Sequence, residues 1–325
     1  MVLLIKLLII QYFYYYKRSK MSLWSLIVWL GIFKVVYQLG KMIYSNYFCK
    51  INLEQYKYGW VAITGGSDGI GKGLATEFAS RGFKVLLISR NPTKLAEVSK
   101  AISAETKNPD IKYLAVDFKY SHRDPENFYK QVVSDLAPYN ISVLINNVGI
   151  GGESKFLINQ DLDSIEEMIG INIYPQTMLS YHLIPAFLKR HQETHQRSLI
   201  INFSSTAEEI ALPSIALYAA TKRYNHFLSE ALRYEYSNSI DVATVKPGPV
   251  ATPLAGSLGF ADFVTCLKVQ TYVRSLVNNL HTGINYGHWA HSVQAYFSTL
   301  VPYQIMSPLM QLAMPLLLKL KVIKL

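Results

Sequence analysis

The chain has 325 residues, half of them hydrophobic, and a net charge of +10. Its length suits one α/β domain of roughly 250 residues with a terminal segment as well as it suits two domains. The positive charge comes without a long lysine or arginine tract or a zinc-finger spacing, which argues against nucleic acid as a partner; two cysteines, Cys49 and Cys266, are too few for a disulfide framework or a zinc site.

Residues 1–16 are largely apolar and lead into a basic patch, Lys17, Arg18 and Lys20. A second apolar run covers 22–39, broken by Lys34 and a few weakly polar residues. Eighteen helical residues reach about 27 Å, just enough for a hydrocarbon core. Lys34 lies near the end of the run, where its ammonium can extend to the headgroups. Trp24, Trp29, Tyr37 and Tyr44 supply interfacial rings. No small-x-small cleavage site closes the first run, which disfavours a removed leader. The expectation is a hydrophobic membrane anchor and linker over 1–55 and an enzyme domain over 56–325.

From Gly59 the pattern becomes strand, turn, helix. Residues 60–64 are a short apolar run ended by glycines. Residues 72–81 read as a helix, 84–89 as a second strand and 91–106 as a helix by its spacing of apolar residues. A third strand at 111–117, a helix at 124–136 and a fourth strand at 142–146 follow. Residues 162–187 are helical with an interruption near Pro175; then come a fifth strand at 198–204, a long helix at 218–236 and a sixth strand at 241–246. The strands are short, β-branched and apolar on both faces. Alternating with helices, they predict a parallel sheet covered on both sides: an α/β, Rossmann-like doubly wound domain behind an N-terminal membrane-anchor helix.

The loop T-G-G-S-D-G-I-G at 64–71 falls between the first strand and the first helix. Glycines there let backbone N–H groups approach a pyrophosphate at a helix N-terminus. Gly65, Ser67, Asp68, Gly69, Ile70 and Gly71 are therefore candidate dinucleotide contacts. An acidic residue at the end of the second strand would hold the ribose hydroxyls of NAD. The chain instead has Ser89 and Arg90 there, with Lys94 nearby. A guanidinium at that point suits a 2′-phosphate, so NADP(H) is the expected cofactor.

Tyr218 and Lys222 share one helix face at i and i+4. Carbonyl reduction needs a proton donor at the oxygen, and a phenol with an ordinary pKa of about 10 is a weak one. A nearby ammonium would lower that value. Ser205, at the end of the fifth strand, can hydrogen-bond the substrate oxygen. Asn172 stands in an apolar helical stretch and needs partners; it could fix a water that relays protons towards Lys222. Tyrosine is abundant, 23 residues in all, so Tyr218 is singled out by its company behind a dinucleotide loop.

These motifs, in this order, resemble the short-chain dehydrogenase/reductase family: T-G-x-x-x-G-x-G, N-N-V-G at 146–149, Ser205, Y-x-x-x-K, and P-G at 247–248. The resemblance implies that Asp117 contacts the adenine, that Asn146 lines the cofactor site, and that Pro247, Gly248, Val250 and Thr252 flank the nicotinamide. It implies a tetrad of Asn172, Ser205, Tyr218 and Lys222, the last two also touching cofactor. A narrower likeness, carried by G-x-S-D-G-I-G-K, L-L-I-S-R, V-D-F, I-N-N-V-G and I-N-F-S-S, is to the membrane-bound 17-beta-hydroxysteroid dehydrogenase type 12 and type 3 group. That group includes the very-long-chain 3-oxoacyl-CoA reductases of fatty-acid elongation. It implies the endoplasmic reticulum membrane, NADPH-dependent reduction, and a homodimer or elongation-complex partners.

The expected substrate is a lipid ketone, foremost a 3-oxoacyl-CoA; 17-ketosteroids and retinoid or other lipid carbonyls are the alternatives. A silent NADP-binding scaffold would lack Tyr218 or Lys222, and both are present. Residues 253–280 read as a loop and amphipathic helix covering the substrate, and the apolar tail 299–325 as core or an interfacial membrane contact.

Overall fold

The computed structural model describes residues 23–48, 50–211, 213–257, 266–300 and short pieces of 304–312. The chain divides into two units, Met1–Phe48 and Cys49–Leu325. In the first, helix α1 (Leu23–Phe48) does not end at 39 but continues through Gly40 and Lys41. Among the described residues no helix is long and apolar enough to cross a membrane. This corrects the membrane-anchor helix expected over 22–39, and the endoplasmic reticulum placement that rested on it. Polar positions dilute the helix: Lys34 stands in its interior, and Gln38, Lys41, Ser45 and Asn46 follow. A lysine near a bilayer centre costs about 2.5–3.5 kcal/mol. The apolar run at 1–16 lies outside the described residues, as does 313–325 of the tail.

The second unit is built on seven strands: β1 (Trp60–Thr64), β2 (Lys84–Ser89), β3 (Ile111–Ala115), β4 (Ile141–Asn146), β5 (Ser198–Phe203), β6 (Ile240–Val245) and β7 (Gly283–Asn285). Their order is β3-β2-β1-β4-β5-β6-β7, and every neighbouring pair is parallel. Parallel neighbours need crossovers, which α2 (Gly69–Ser80), α3 (Pro92–Thr106), α4 (Pro125–Leu136), α5 (Leu162–Thr194) and α6 (Ala216–Glu235) provide.

Strand periodicity explains the layering. Val61, Ile63, Val85, Leu87, Val143, Ile145, Leu199 and Ile201 point to one face and pack with Leu74, Phe78, Leu95 and Tyr272. Ala62, Leu86, Ile88, Leu144, Ile200 and Val242 point to the other and pack with Tyr129, Leu179, Leu183 and Phe187. Neighbours along a strand thus enter opposite cores, which is why the central strands read as largely apolar runs. The chain moves outwards from β1 to β3, then returns to place β4 on the other side of β1. This reversal opens a crevice at the carboxyl ends of β1 and β4.

Three segments differ from expectation. Helix α5 runs unbroken past Pro175 and Pro185. Each proline removes one N–H, yet Ile171, Leu179, Leu183, Ile184 and Phe187 keep the helix seated on the sheet. Strand β7 was not foreseen; it is three residues long and pairs with β6. Helix α8 (Val269–Asn278), which follows the short α7 (Pro253–Ser257), is a core element. Tyr272, Val273, Leu276 and Val277 are buried in the β1 core rather than laid over a substrate. A Cβ on Gly73 of α2 would stand 2.6 Å from Val269 and 3.1 Å from Val273, so the absence of that atom lets α8 dock. A last helix, α9 (Trp289–Leu300), completes the described fold.

Candidate active site

A cleft of about 700 Å³ opens along the carboxyl ends of the strands. Its outer part is bounded by Gly65, Ser67, Asp68, Gly69 and Ile70 from the first loop, Arg90 and Lys94 beyond β2, and Asp117 beyond β3. Its inner part reaches Gly149, Phe203, Ser204, Tyr218, Lys222, Pro247 and Thr252.

The first loop is shaped by contacts that admit no side chain. Gly65 has φ +66°, and a Cβ on Gly71 would lie 2.1 Å from the Gly65 oxygen. The loop therefore turns back on the first turn of α2, leaving amide N–H groups for an anion. Asp68 caps α2, accepting from Gly69 N–H at 2.7 Å. Its other oxygen is 2.5 Å from Lys94 Nζ. Ser89 ends β2 where a carboxylate would stand, its Oγ 2.9 Å from Ser67 Oγ, and Arg90 beside it is exposed. A dinucleotide with a phosphate on its adenosine ribose fits these residues: amides and glycines at the pyrophosphate, and at the ribose the exposed Arg90 beside Lys94, whose ammonium is paired with Asp68.

At the inner end, Tyr218 and Lys222 lie one turn apart on α6 and are both buried. Lys222 Nζ is 5.7 Å from the Tyr218 ring centre and 3.5 Å from the Phe203 carbonyl. Burial pushes the phenol up to about 12, partly offset by its hydrogen bond to Ser205. The net shift is upwards, against the lowering expected from a neighbouring ammonium, because desolvation outweighs the Ser205 hydrogen bond. Burial pushes Lys222 down to about 8, opposed by the charge of Glu208. Ser205 begins the 206–209 turn, where its Oγ accepts from Ala207 N–H at 3.1 Å.

Asn172 is a bracket. Its Oδ1 accepts from Ile150 N–H at 2.8 Å, and its Nδ2 donates to Ile150 O and Thr221 Oγ1, each at 3.0 Å. It ties the loop after β4 to α6, with both N–H donors of its amide engaged. Asn146 faces inwards from β4 and donates to Asn202 Oδ1 at 2.8 Å. Its neighbour Asn147 borders the cleft and holds Thr64 O at 2.9 Å through Nδ2. Val250 is buried and bridges to Leu267, while Gly248 leans on His291.

The short chain dehydrogenase family matches residues 59–260. The chain belongs to that family. Among known proteins, the very-long-chain 3-oxoacyl-CoA reductase of Rattus norvegicus is 38% identical over 249 residues, 75% of each chain. A Caenorhabditis elegans protein that carries the name steroid dehydrogenase 2 provisionally is 34% identical over 248 residues, 75% of this chain and 76% of its own. Among solved structures, the short-chain dehydrogenase of Sphingobium yanoikuyae in complex with NADPH is 26% identical with a TM-score of 0.62, covering 78% of this chain and 95% of that one.

Two features of this short-chain dehydrogenase escaped the sequence reading. Glu208 and Lys246 form a buried ion pair at 2.8 Å directly behind Ser205. His291 of α9, fully buried, places Nε2 3.1 Å from the Pro249 oxygen and so braces the Pro247–Val250 strap of the dehydrogenase. The available signals were the acidic doublet three residues after the serine and a lysine closing the apolar sixth strand.

Proposed function

We propose that the chain reduces the ketone of a 3-oxoacyl-CoA to the 3-hydroxyl with NADPH, the carbonyl-reducing step of fatty-acid elongation, and that residues 56–325 carry the activity. The supporting observation is that a single cleft has Arg90 and Lys94 at one end and Tyr218 with Lys222 at the other. The relatives named as very-long-chain 3-oxoacyl-CoA reductases support the substrate class.

The cofactor's chemistry, when bound, is delivery of a hydride to the carbonyl carbon. Arg90 and Lys94 bind its 2′-phosphate, the loop from Gly65 to Gly71 its pyrophosphate, and Asp117 lies at the adenine. Pro247 and Thr252 form the nicotinamide side of the cleft, with Gly248 and Val250 in the strap behind them. Tyr218 donates its phenolic proton to the carbonyl oxygen, which becomes the new hydroxyl. Ser205 holds that oxygen and the phenol in one line. Lys222 offsets the negative charge left on the phenol, and Asn172 keeps Lys222's helix against the Ile150 loop. Met168, Ala207 and Ile215, with the half-buried Ile150, Leu217 and Leu254, surround Tyr218 with hydrocarbon, an environment that suits an acyl chain.

The test is NADPH oxidation by purified protein with a 3-oxoacyl-CoA, estrone, androstenedione and retinal in parallel. The acyl-CoA should be consumed fastest. Tyr218→Phe should lower its kcat by about 10²-fold or more while leaving NADPH binding intact. Tight NADPH binding with no turnover of the acyl-CoA, or a clear preference for a steroid, would overturn the substrate reading.

A further inference from the structure

The buried charge behind Ser205 has no part in the chemistry just described. A buried ion pair is weak support for stability, because removing two charges from water offsets their attraction. Its position is more informative. Glu208 lies 2.5 Å from Ser204 Oγ, and that same hydroxyl lies 2.7 Å from the backbone oxygen of Lys222. This hydroxyl thus lies between the carboxylate and the main chain of the lysine, and its single proton serves one of the two oxygens at a time. From α6, Arg223 Nη1 at 3.3 Å and His226 Nδ1 at 2.7 Å face the same carboxylate. From the end of β6, Lys246 Nζ bridges Glu208 and Glu209, and Tyr286, next after β7, donates to Glu209 at 3.4 Å. Helix α9 packs on this turn and brings His291 beneath Pro249. The cluster joins the turn carrying Ser205, the helix carrying Tyr218 and Lys222, and the strand end leading to Pro247.

We propose that Glu208 is a positioning residue for the reduction: it clamps the Ser205 turn to α6 and keeps Lys222 in its ammonium form. The assignment rests on the proposed role of Lys222 in that reaction. Burial alone would raise the pKa of Glu208, but His226, Lys246 and Ser204 outweigh it and hold the carboxyl below its ordinary range, so the charge facing Lys222 is permanent near neutral pH. In Lys222 the burial that lowers its pKa is countered by this charge.

The experiment follows the titration of isotope-labelled lysine side chains by NMR in the full chain without substrate. Lys222→Met identifies the Lys222 signal. Glu208→Gln should move the Lys222 midpoint to lower pH and move the alkaline limb of acyl-CoA reduction with it. At pH 8, where a one-unit fall from about 8 takes the ammonium from about half to about a tenth of the molecules, kcat should fall roughly fivefold, with KM nearly unchanged. Lys246→Met breaks the same cluster but leaves Glu208 in place, so the Lys222 midpoint should not fall. An unchanged midpoint in Glu208→Gln, or an equal fall in both variants, overturns the proposal. If Glu208→Gln does not fold, the double variant with Lys246→Met leaves no buried ammonium unpaired and takes its place. The titration needs no substrate. A wild-type protein inert towards 3-oxoacyl-CoA would therefore sink the substrate reading, while the Lys222 midpoint would still decide the role of Glu208.

Discussion

Tyr218 and Lys222 are moved in opposite directions by the same cause. Loss of water raises the acid to about 12 and lowers the base to about 8. At neutral pH the phenol keeps its proton, as a donor must, and the lysine keeps its charge. Reduction should therefore decline as pH rises through about 8, where the ammonium is lost; a pH profile of kcat checks this, and a plateau extending to pH 10 would contradict it. Stability should run the other way. Between about 8 and 10.5 the unfolded lysine binds more protons than the folded one, so this group's contribution to stability rises with pH. Tyr218 and Lys222 line one cleft, and their pairing as candidates was legible in the sequence from their spacing. The direction of the phenol's shift was not, because the degree of burial depends on Met168, Ala207 and Ile215, contributed by distant segments.

Among the elements, the first loop was the easiest to read and is the least tolerant of change. Gly71 has no room for a methyl group against the Gly65 oxygen. Gly71→Ala should weaken NADPH binding by roughly tenfold or more, about 1.4 kcal/mol, as measured by quenching of protein fluorescence. Unaltered affinity would place the pyrophosphate elsewhere. Strands β1 to β6 were legible because most are apolar runs between turn residues, and β3, with Lys112 exposed, keeps its place in the alternation of strand and helix. β7 was not: it has three residues, begins at Gly283 with φ +83°, and reads as a turn. Helix α5 was read as broken because proline breaks an isolated helix, whereas packing along its buried face carries this one through. Asn146 and Asn147 were indistinguishable by type; only the register of β4 decides which one turns towards the cleft.

At the scale of the whole molecule, the β1 core collects side chains from Leu53 to Leu280. Phe78, Tyr272 and Tyr56 are fully buried in it, each contributing on the order of 2–3 kcal/mol. Long-range closure of this kind leaves little trace in local sequence patterns. It explains why α8 looked like a cover for the substrate: an amphipathic helix shows that it has an apolar face, but not which surface receives it. The membrane anchor was misread for a related reason, since an apolar run was weighed by length while the lysine inside it was treated as lying at its edge.

The enzyme domain is also closed where it begins. Ile51 N–H donates to Leu280 O at 2.8 Å, Lys50 pairs with His281, and the Tyr56 hydroxyl donates to Asp241 at 2.6 Å. During synthesis the residues around 50 leave the ribosome first, and their partners near 280 emerge only after every catalytic group has been made. A nascent chain arrested before residue 269 has its cofactor loop but lacks α8 and the residues that pair with 50–51. Such chains should remain open to protease, and resistance should appear abruptly once 281 is clear of the ribosome.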